Sequence, residues 1–181
     1  MKQFPSLLML SVVVVATLLG GRAITARDVA PDKYALQVPG GLAFAEFRGY
    51  EGWQVIAVGQ ADGLFKVTVG NPVMVDAYRA GIPMNGQPFP DGARSAKIMW
   101  TLKQSTDAPF AVNVPDALKR VGFMVKDSSR FAGIGGWGYA QFEYDPAADR
   151  YAPDGAGVDC GTACHSIVKA RDYVFSKYGR R

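Results

Sequence analysis

Both cysteines and the only histidine of this 181-residue chain lie together, between Cys160 and His165. Two thiols can add to the vinyl groups of a haem, and an imidazole directly after the second thiol can ligate its iron. The usual spacing for this attachment is Cys-x-x-Cys-His, whereas three residues separate Cys160 from Cys164 here. One added residue still leaves both sulfurs on one side of a turn. The segment therefore predicts a covalently attached c-type haem, with His165 as a ligand of the iron.

A disulfide or a zinc site would use the same residue types. Zinc normally takes four Cys or His ligands in a structural site, and two cysteines with one histidine leave such a site short. A disulfide between Cys160 and Cys164 accounts for the thiols, but not for the position of the only histidine beside the second one. In an oxidising compartment the two thiols would pair in protein that lacks its haem.

The N-terminus has the features of an export signal. Residues 1–3 are short and basic, residues 7–19 are almost uninterruptedly apolar, and small residues follow at Ala23 and Ala26. The apolar run is shorter than the ~20 residues that a membrane-spanning helix needs, which disfavours an uncleaved anchor. We therefore predict that residues 1–26 are a signal peptide and that the protein is periplasmic or secreted. Export agrees with the haem prediction, because covalent c-type haem is assembled outside the cytoplasm.

Residues 27–181 have the length of one domain with a hydrophobic core of its own. The net charge of the whole chain is +4, and it falls to +2 when Lys2 and Arg22 leave with the signal peptide. The remaining positive charges are spread along the chain. Nucleic acid is therefore disfavoured as a partner, because binding to it needs a concentrated basic patch.

The pattern of apolar and polar residues predicts a mainly antiparallel sheet. Residues 54–59 form a short apolar run that is typical of a buried strand. Polar and apolar residues alternate, as in half-buried strands, over residues 65–69, 95–103, 118–126 and 136–144. Long alternating segments joined by irregular loops indicate an antiparallel sheet with helices before and after it, hence an α+β fold.

Helices and turns are predicted between and around these strands. Asn71 is suited to cap a helix over residues 72–80 that Gly81 ends, and a loop rich in Pro and Gly follows. The aromatic-rich residues 44–53 predict a short helix or turn packed on the core. A short helix and a tail are predicted after the Cys-His motif, over residues 166–178.

Four blocks of this sequence resemble the cytochrome P-460 family, mono-haem c-type proteins linked to hydroxylamine oxidation. The first two blocks are residues 49–53, GYEGW, and residues 89–92, FPDG, with Lys97 five positions beyond the glycine. The third is VKDSSRF, residues 125–131, followed by Gly136 and Trp137. The fourth is the Cys-His motif with DYVF, residues 172–175. The blocks keep the family order over nearly the whole mature chain.

The resemblance implies a homodimer with a mostly antiparallel sheet and a haem whose proximal ligand is His165. It also implies a covalent bond between a lysine and the porphyrin ring, and the lysine at the matching position is Lys97. Lys66 stands where the family carries a distal cation. Both lysines also fit the polar faces of alternating strands, where a lysine is usually solvated. The third residue between Cys160 and Cys164 departs from the family pattern.

The function implied by the resemblance is oxidation of hydroxylamine to nitric oxide or nitrous oxide. Lys97 and Lys66 would then be catalytic residues, and a soluble cytochrome c would accept the electrons. One alternative is a gas-binding protein like the cytochrome c-prime-beta relatives, which share the fold, lack the lysine bond and bind nitric oxide or carbon monoxide. Another is an electron carrier in which a methionine supplies the sixth iron ligand, the mature candidates being Met74, Met84, Met99 and Met124. Strand alternation puts Lys97 and Met99 on one side, so both should lie beside the haem.

Overall fold

The computed structural model describes residues 32–179. The predicted signal peptide, residues 1–26, lies outside the described residues. Within residues 32–179, no helix combines the length and the apolar character that crossing a membrane would require.

The fold is organised around one six-stranded antiparallel sheet in which every strand pairs with the next along the chain. The strands are β1 Gln54–Ala61, β2 Leu64–Gly70, β3 Arg94–Gln104, β4 Asn113–Lys126, β5 Trp137–Asp145 and β6 Arg150–Pro153. The predicted α+β fold with a mainly antiparallel sheet is confirmed. Strand β6 was not predicted, because its four residues carry no clear alternation and become a strand by pairing with the end of β5.

Strand β1 was predicted to be buried, and this prediction is wrong. It lies at the edge of the sheet, where Ile56 is buried but Val58 is 59% exposed. An apolar run indicates a strand, but its place in the sheet depends on which partners lie beside it.

In the part of the chain that the structure describes, two α-helices flank the sheet, α1 Pro72–Arg79 and α2 Gly157–Ser166. The predicted cap of α1 is confirmed, since the Asn71 side chain accepts a hydrogen bond of 3.0 Å from the backbone N–H of Met74. The Cys-His motif itself lies in α2, which was not predicted. Within the short helix and tail predicted over residues 166–178, the described residues form a 3-10 turn, Lys169–Arg171, and then a tail. Asp172 and Tyr173 then adopt left-handed backbone conformations, with φ of 46° and 61°, which end any helix there.

Alternation along the strands gives the sheet two different faces. One face packs against residues 32–53 through an aromatic core in which the Phe47 and Phe123 rings stack with their centroids 4.1 Å apart. The predicted packing of residues 44–53 on the core is thereby confirmed, as two 3-10 turns, Phe44–Phe47 and Tyr50–Gly52. The opposite face is covered in part by α1, residues 81–92 and residues 173–178. On the same face α2 packs on β5, and a cavity lies between α2 and the neighbouring strands.

Candidate cofactor site

The cavity between the sheet and α2 has a volume of about 540 Å³. Cofactor pockets in proteins are usually roughly 300–1,000 Å³, so this one is large enough for a sizeable prosthetic group. Every residue that the sequence predicted for the site lines it, namely Lys66, Lys97, Cys160, Cys164 and His165. Two strand lysines and a distant C-terminal motif are thus brought to one place by the fold.

One face of α2 carries the residues that meet the cavity. Gly157, Cys160, Gly161 and Cys164 follow the spacing i, i+3, i+4 and i+7, which puts them on one side of a helix. A Cβ atom at Gly161 would lie 2.8 Å from Cγ of Tyr139, so only glycine permits this approach of the helix to β5. A Cβ at Gly157 would likewise lie 2.9 Å from Cβ of Gln141. The two glycines therefore hold both cysteines close to the sheet.

Cys160 and Cys164 are free thiols in this arrangement, and both are exposed on the cavity side of α2. Three intervening residues make them neighbours at i and i+4 of a helix, so the longer spacing still presents both sulfurs on one face. Among residues 32–179, no group of three or more His, Cys, Asp and Glu side chains lies close enough to hold a metal ion. The motif therefore offers thiols and one imidazole, without the ligand set of a structural zinc site.

His165 is held at its Nδ1 atom, which lies 2.6 Å from the backbone carbonyl oxygen of Tyr173. A carbonyl oxygen can only accept, so Nδ1 carries the proton and Nε2 keeps its lone pair. Burial lowers the pKa of the imidazole below its usual range, and the nearby Lys97 charge lowers it further against the opposing hydrogen bond to Tyr173. A neutral imidazole oriented through Nδ1 is the form that ligates a metal through Nε2.

Lys97 lies in the middle of β3, opposite Thr68 of β2 and Gly122 of β4. Gly122 has no side chain, so nothing from that position covers the cavity side of Lys97. Burial lowers the pKa of the Lys97 amine below 10.5, and the neighbouring charge of Lys66 lowers it further. A depressed pKa increases the fraction of neutral amine, which is the nucleophilic form.

Met99 and Lys66 lie beside Lys97 on the same face of the sheet. They are cross-strand partners, and both line the cavity, so the predicted shared face of Lys97 and Met99 is confirmed. The Nζ atom of Lys66 donates to Oδ2 of Asp62 at 2.8 Å, and the Asp62 side chain is 83% exposed. Lys66 is therefore a cation at the solvent-facing edge of the cavity.

A model of the cytochrome P460 family matches residues 47–176, which is most of the chain. The chain belongs to the cytochrome P460 family. The matched range includes the strand lysines, the Cys-His motif and the Tyr173 carbonyl that contacts His165. A search of curated proteins gave no match.

Membership of the cytochrome P460 family implies haem binding, and the residues around the cavity fit that group. The cavity combines an imidazole with a free Nε2, two thiols on the same helix face and apolar surface from the sheet. The hydroxyl of Tyr139 is buried with no hydrogen-bond partner among the described residues, and its ring also lines the cavity. Burial raises the pKa of this hydroxyl, so it stays protonated.

Two aromatic residues of this cytochrome P460-family site were not identified from the sequence. The rings of Tyr139 and Phe175 both contact His165, with centroids 5.1 Å and 5.0 Å from the imidazole. Tyr139 shares a strand face with Gln141, and Phe175 ends the DYVF block, but neither pattern indicates contact with a histidine. The close approach of α2 to β5 creates the contact with Tyr139, and the turn at residues 172–173 precedes the contact with Phe175.

Proposed function

We propose that this cytochrome P460-family protein carries a c-type haem in the cavity and oxidises hydroxylamine to nitric oxide or nitrous oxide. Cys160 and Cys164 would hold the group through thioether bonds, and His165 would be its axial ligand. The observation that supports the proposal most directly is that Lys97, from the middle of the sheet, lines the same cavity as this C-terminal motif. When bound, the haem would supply the redox chemistry.

The role proposed for His165 follows from its surroundings. Its Nδ1 atom is hydrogen-bonded to the Tyr173 carbonyl, and its ring contacts the rings of Tyr139 and Phe175, so the direction of Nε2 is restricted. No second histidine exists in the chain that could occupy an opposite axial position. A haem with one protein ligand keeps a position for a small molecule, whereas two protein ligands favour electron transfer.

The role proposed for Lys97 is the covalent bond to the porphyrin ring. Its side chain is half-buried, has a lowered pKa and lines the cavity, which would bring the neutral amine close to the ring. The bond would replace one N–H and one ring C–H by a C–N bond, a two-electron oxidation that requires an added oxidant such as a peroxide. Such a bond would distort the macrocycle and alter its electronics, which is one way in which a protein tunes haem chemistry. Met99, beside Lys97, would then form part of the apolar wall.

The role proposed for Lys66 is that of a distal cation. Its ion pair with Asp62 keeps the ammonium at the edge of the cavity, where a small polar substrate would enter from solvent. Its charge also contributes to the lowered pKa of Lys97. We further propose that the protein acts after export as a homodimer and passes its electrons to a soluble cytochrome c.

Turnover of hydroxylamine by the purified holoprotein tests this function. We expect hydroxylamine to reduce an added cytochrome c or an artificial acceptor only when the holoprotein is present, with nitric oxide or nitrous oxide as the product. The control is the same protein after Lys97→Leu. Nitric oxide binding without any hydroxylamine turnover in the parent would favour the gas-binding alternative, and a methionine-to-iron absorption band would favour the electron carrier.

A further inference from the structure

A buried ion pair lies next to the site but outside the cavity. The Nζ atom of Lys126, at the end of β4, is 2.7 Å from Oδ1 of Asp172, and the two side chains are 5% and 11% exposed. The other oxygen of Asp172, Oδ2, accepts a hydrogen bond of 2.8 Å from the backbone N–H of Phe89. Asp172 is thereby attached to the sheet and to the loop that follows α1.

Lys126 also connects this carboxylate to the loop between β4 and β5. Its Nζ atom donates to the backbone carbonyl oxygen of Gly135 at 3.1 Å and lies 5.2 Å from the centre of the Trp137 ring. The ring of Tyr173 packs directly on Gly135, where a Cβ atom would lie 2.3 Å from a ring carbon. Lys126 therefore stabilises both Asp172, which precedes Tyr173, and Gly135, on which the Tyr173 ring packs.

The backbone at Asp172 and Tyr173 requires such support. Both residues adopt left-handed conformations, with φ of 46° and 61°. A residue with a Cβ, and an aromatic one above all, rarely adopts this conformation unless its surroundings impose it. The conformation directs the carbonyl of Tyr173 at Nδ1 of His165, 2.6 Å away.

A buried ion pair contributes little net free energy to folding, because desolvation of the two charges offsets most of their attraction. Its place here, between three chain segments and directly before the Tyr173 carbonyl, points to a different use. We propose that Lys126 and Asp172 are positioning residues for the axial imidazole. They hold the turn whose carbonyl accepts the Nδ1–H of His165, and in this way they set the direction and the basicity of Nε2.

This inference rests on the proposed axial role of His165, and the test separates the two. Asp172→Asn keeps an oxygen for the N–H of Phe89 but removes the ion pair, and Lys126→Met removes the charge at similar length. In the holoprotein of each variant, we expect a lower iron–histidine stretching frequency and a more positive reduction potential. Exchange of the Nδ1 proton with D₂O should be roughly fivefold to tenfold faster, as loss of one net hydrogen bond predicts.

A matched control is available on the opposite face of the sheet. Glu46 and Arg130 form an ion pair of the same length, 2.7 Å, whose residues do not line the cavity, so Glu46→Gln removes an ion pair elsewhere, although a more exposed one. Glu46→Gln should lower the melting temperature. It should leave the iron–histidine frequency, the reduction potential and the exchange rate of the Nδ1 proton unchanged. Lys126→Arg keeps the charge, so its iron–histidine frequency and reduction potential should lie closer to those of the parent. This variant can also be measured if Lys126→Met does not fold.

Two results would overturn the inference in distinguishable ways. If Asp172→Asn keeps the parent's iron–histidine frequency, potential and proton exchange while His165→Ala loses axial ligation, the positioning role is wrong and the axial role stands. If His165→Ala keeps the parent's ligation, the proposed site and the positioning role are both wrong.

Discussion

His165 and Tyr173 contact each other through a single hydrogen bond, 2.6 Å from the imidazole Nδ1 to the backbone carbonyl oxygen. The contact spans the end of α2, a 3-10 turn and two left-handed residues. It is the interaction by which the fold selects one tautomer of the only histidine and leaves Nε2 free for a metal.

Replacing His165 by Ala should remove the axial ligand and leave the covalent attachment intact. No other histidine can substitute for it, and the thioether bonds do not depend on the imidazole. Resonance Raman spectra should show loss of the iron–histidine mode, while the intact mass should still exceed that of the variant polypeptide by one haem. Phe175→Leu is the control, because it removes a ring contact but keeps the imidazole. An unchanged iron–histidine mode in His165→Ala would rule out this ligand.

The haem should stay with the polypeptide after acid-acetone extraction, because thioether bonds survive denaturation. The intact mass of the parent should exceed that of the polypeptide by one haem. The variant Cys160→Ala/Cys164→Ala/Lys97→Leu, which also lacks the proposed bond from Lys97 to the ring, should give the bare polypeptide. We expect Cys160→Ala to retain haem through Cys164, which adjoins His165. Recovery of bare polypeptide from the parent would exclude covalent attachment by these cysteines.

Replacing Lys97 by Leu should change the spectrum and abolish hydroxylamine oxidation. We expect a red-shifted reduced Soret band in the parent and an ordinary c-type spectrum in the variant, which should still bind nitric oxide. Lys103→Leu is the matched control, because Lys103 lies in the same strand but pairs with Asp116 at 3.3 Å outside the cavity. Parent-like spectrum and activity in Lys97→Leu would make Lys97 a solvated strand lysine and favour the gas-binding function.

Replacing Gly161 by Ala should destabilise the protein by about 1–3 kcal/mol. The added Cβ would lie 2.8 Å from Cγ of Tyr139, and this overlap should outweigh the higher helix propensity of alanine, about 1 kcal/mol. Urea unfolding measures the change. Gly155→Ala is the control, since a Cβ there would meet no atom within 4 Å. Equal or greater stability of Gly161→Ala would show that α2 can move away from β5 at little cost.

The ion pair of Glu46 with Arg130 should make stability depend on acid pH. Burial raises the pKa of Glu46, but the hydrogen bonds from Arg130 and from the backbone of Ala43 outweigh it and hold the pKa below 4.5. The unfolded chain then binds more protons than the folded one. The contribution is therefore present above pH 4.5 and is lost as the pH falls through the folded-state pKa.

Urea midpoints between pH 6 and pH 3 measure this loss in the parent and in Glu46→Gln. The parent should lose stability more steeply than the variant over the acidic part of the range, roughly below pH 5, where carboxylates begin to protonate. Parallel curves for the two proteins would mean that Glu46 does not contribute to the acid dependence.

The sequence by itself determined the residue types of the site and which side chains of a strand share a face. Cys164 and His165 are adjacent in the chain, so their association needs no fold. Residues 95–103 alternate, and side chains two apart on a strand share a face, so Lys97 and Met99 had to be neighbours. These relationships follow from covalent order and backbone period alone.

The tertiary structure decided where those residues meet. The helix over the Cys-His motif was not predicted, because glycine disfavours helices, yet Gly157 and Gly161 form one where α2 packs tightly on β5. Strand β1 was predicted to be buried but lies at the edge of the sheet. Tyr173 contacts His165 through a turn in which Asp172 is paired with Lys126. Each of these outcomes depends on contacts between residues far apart in the chain, and such contacts override weak local preferences.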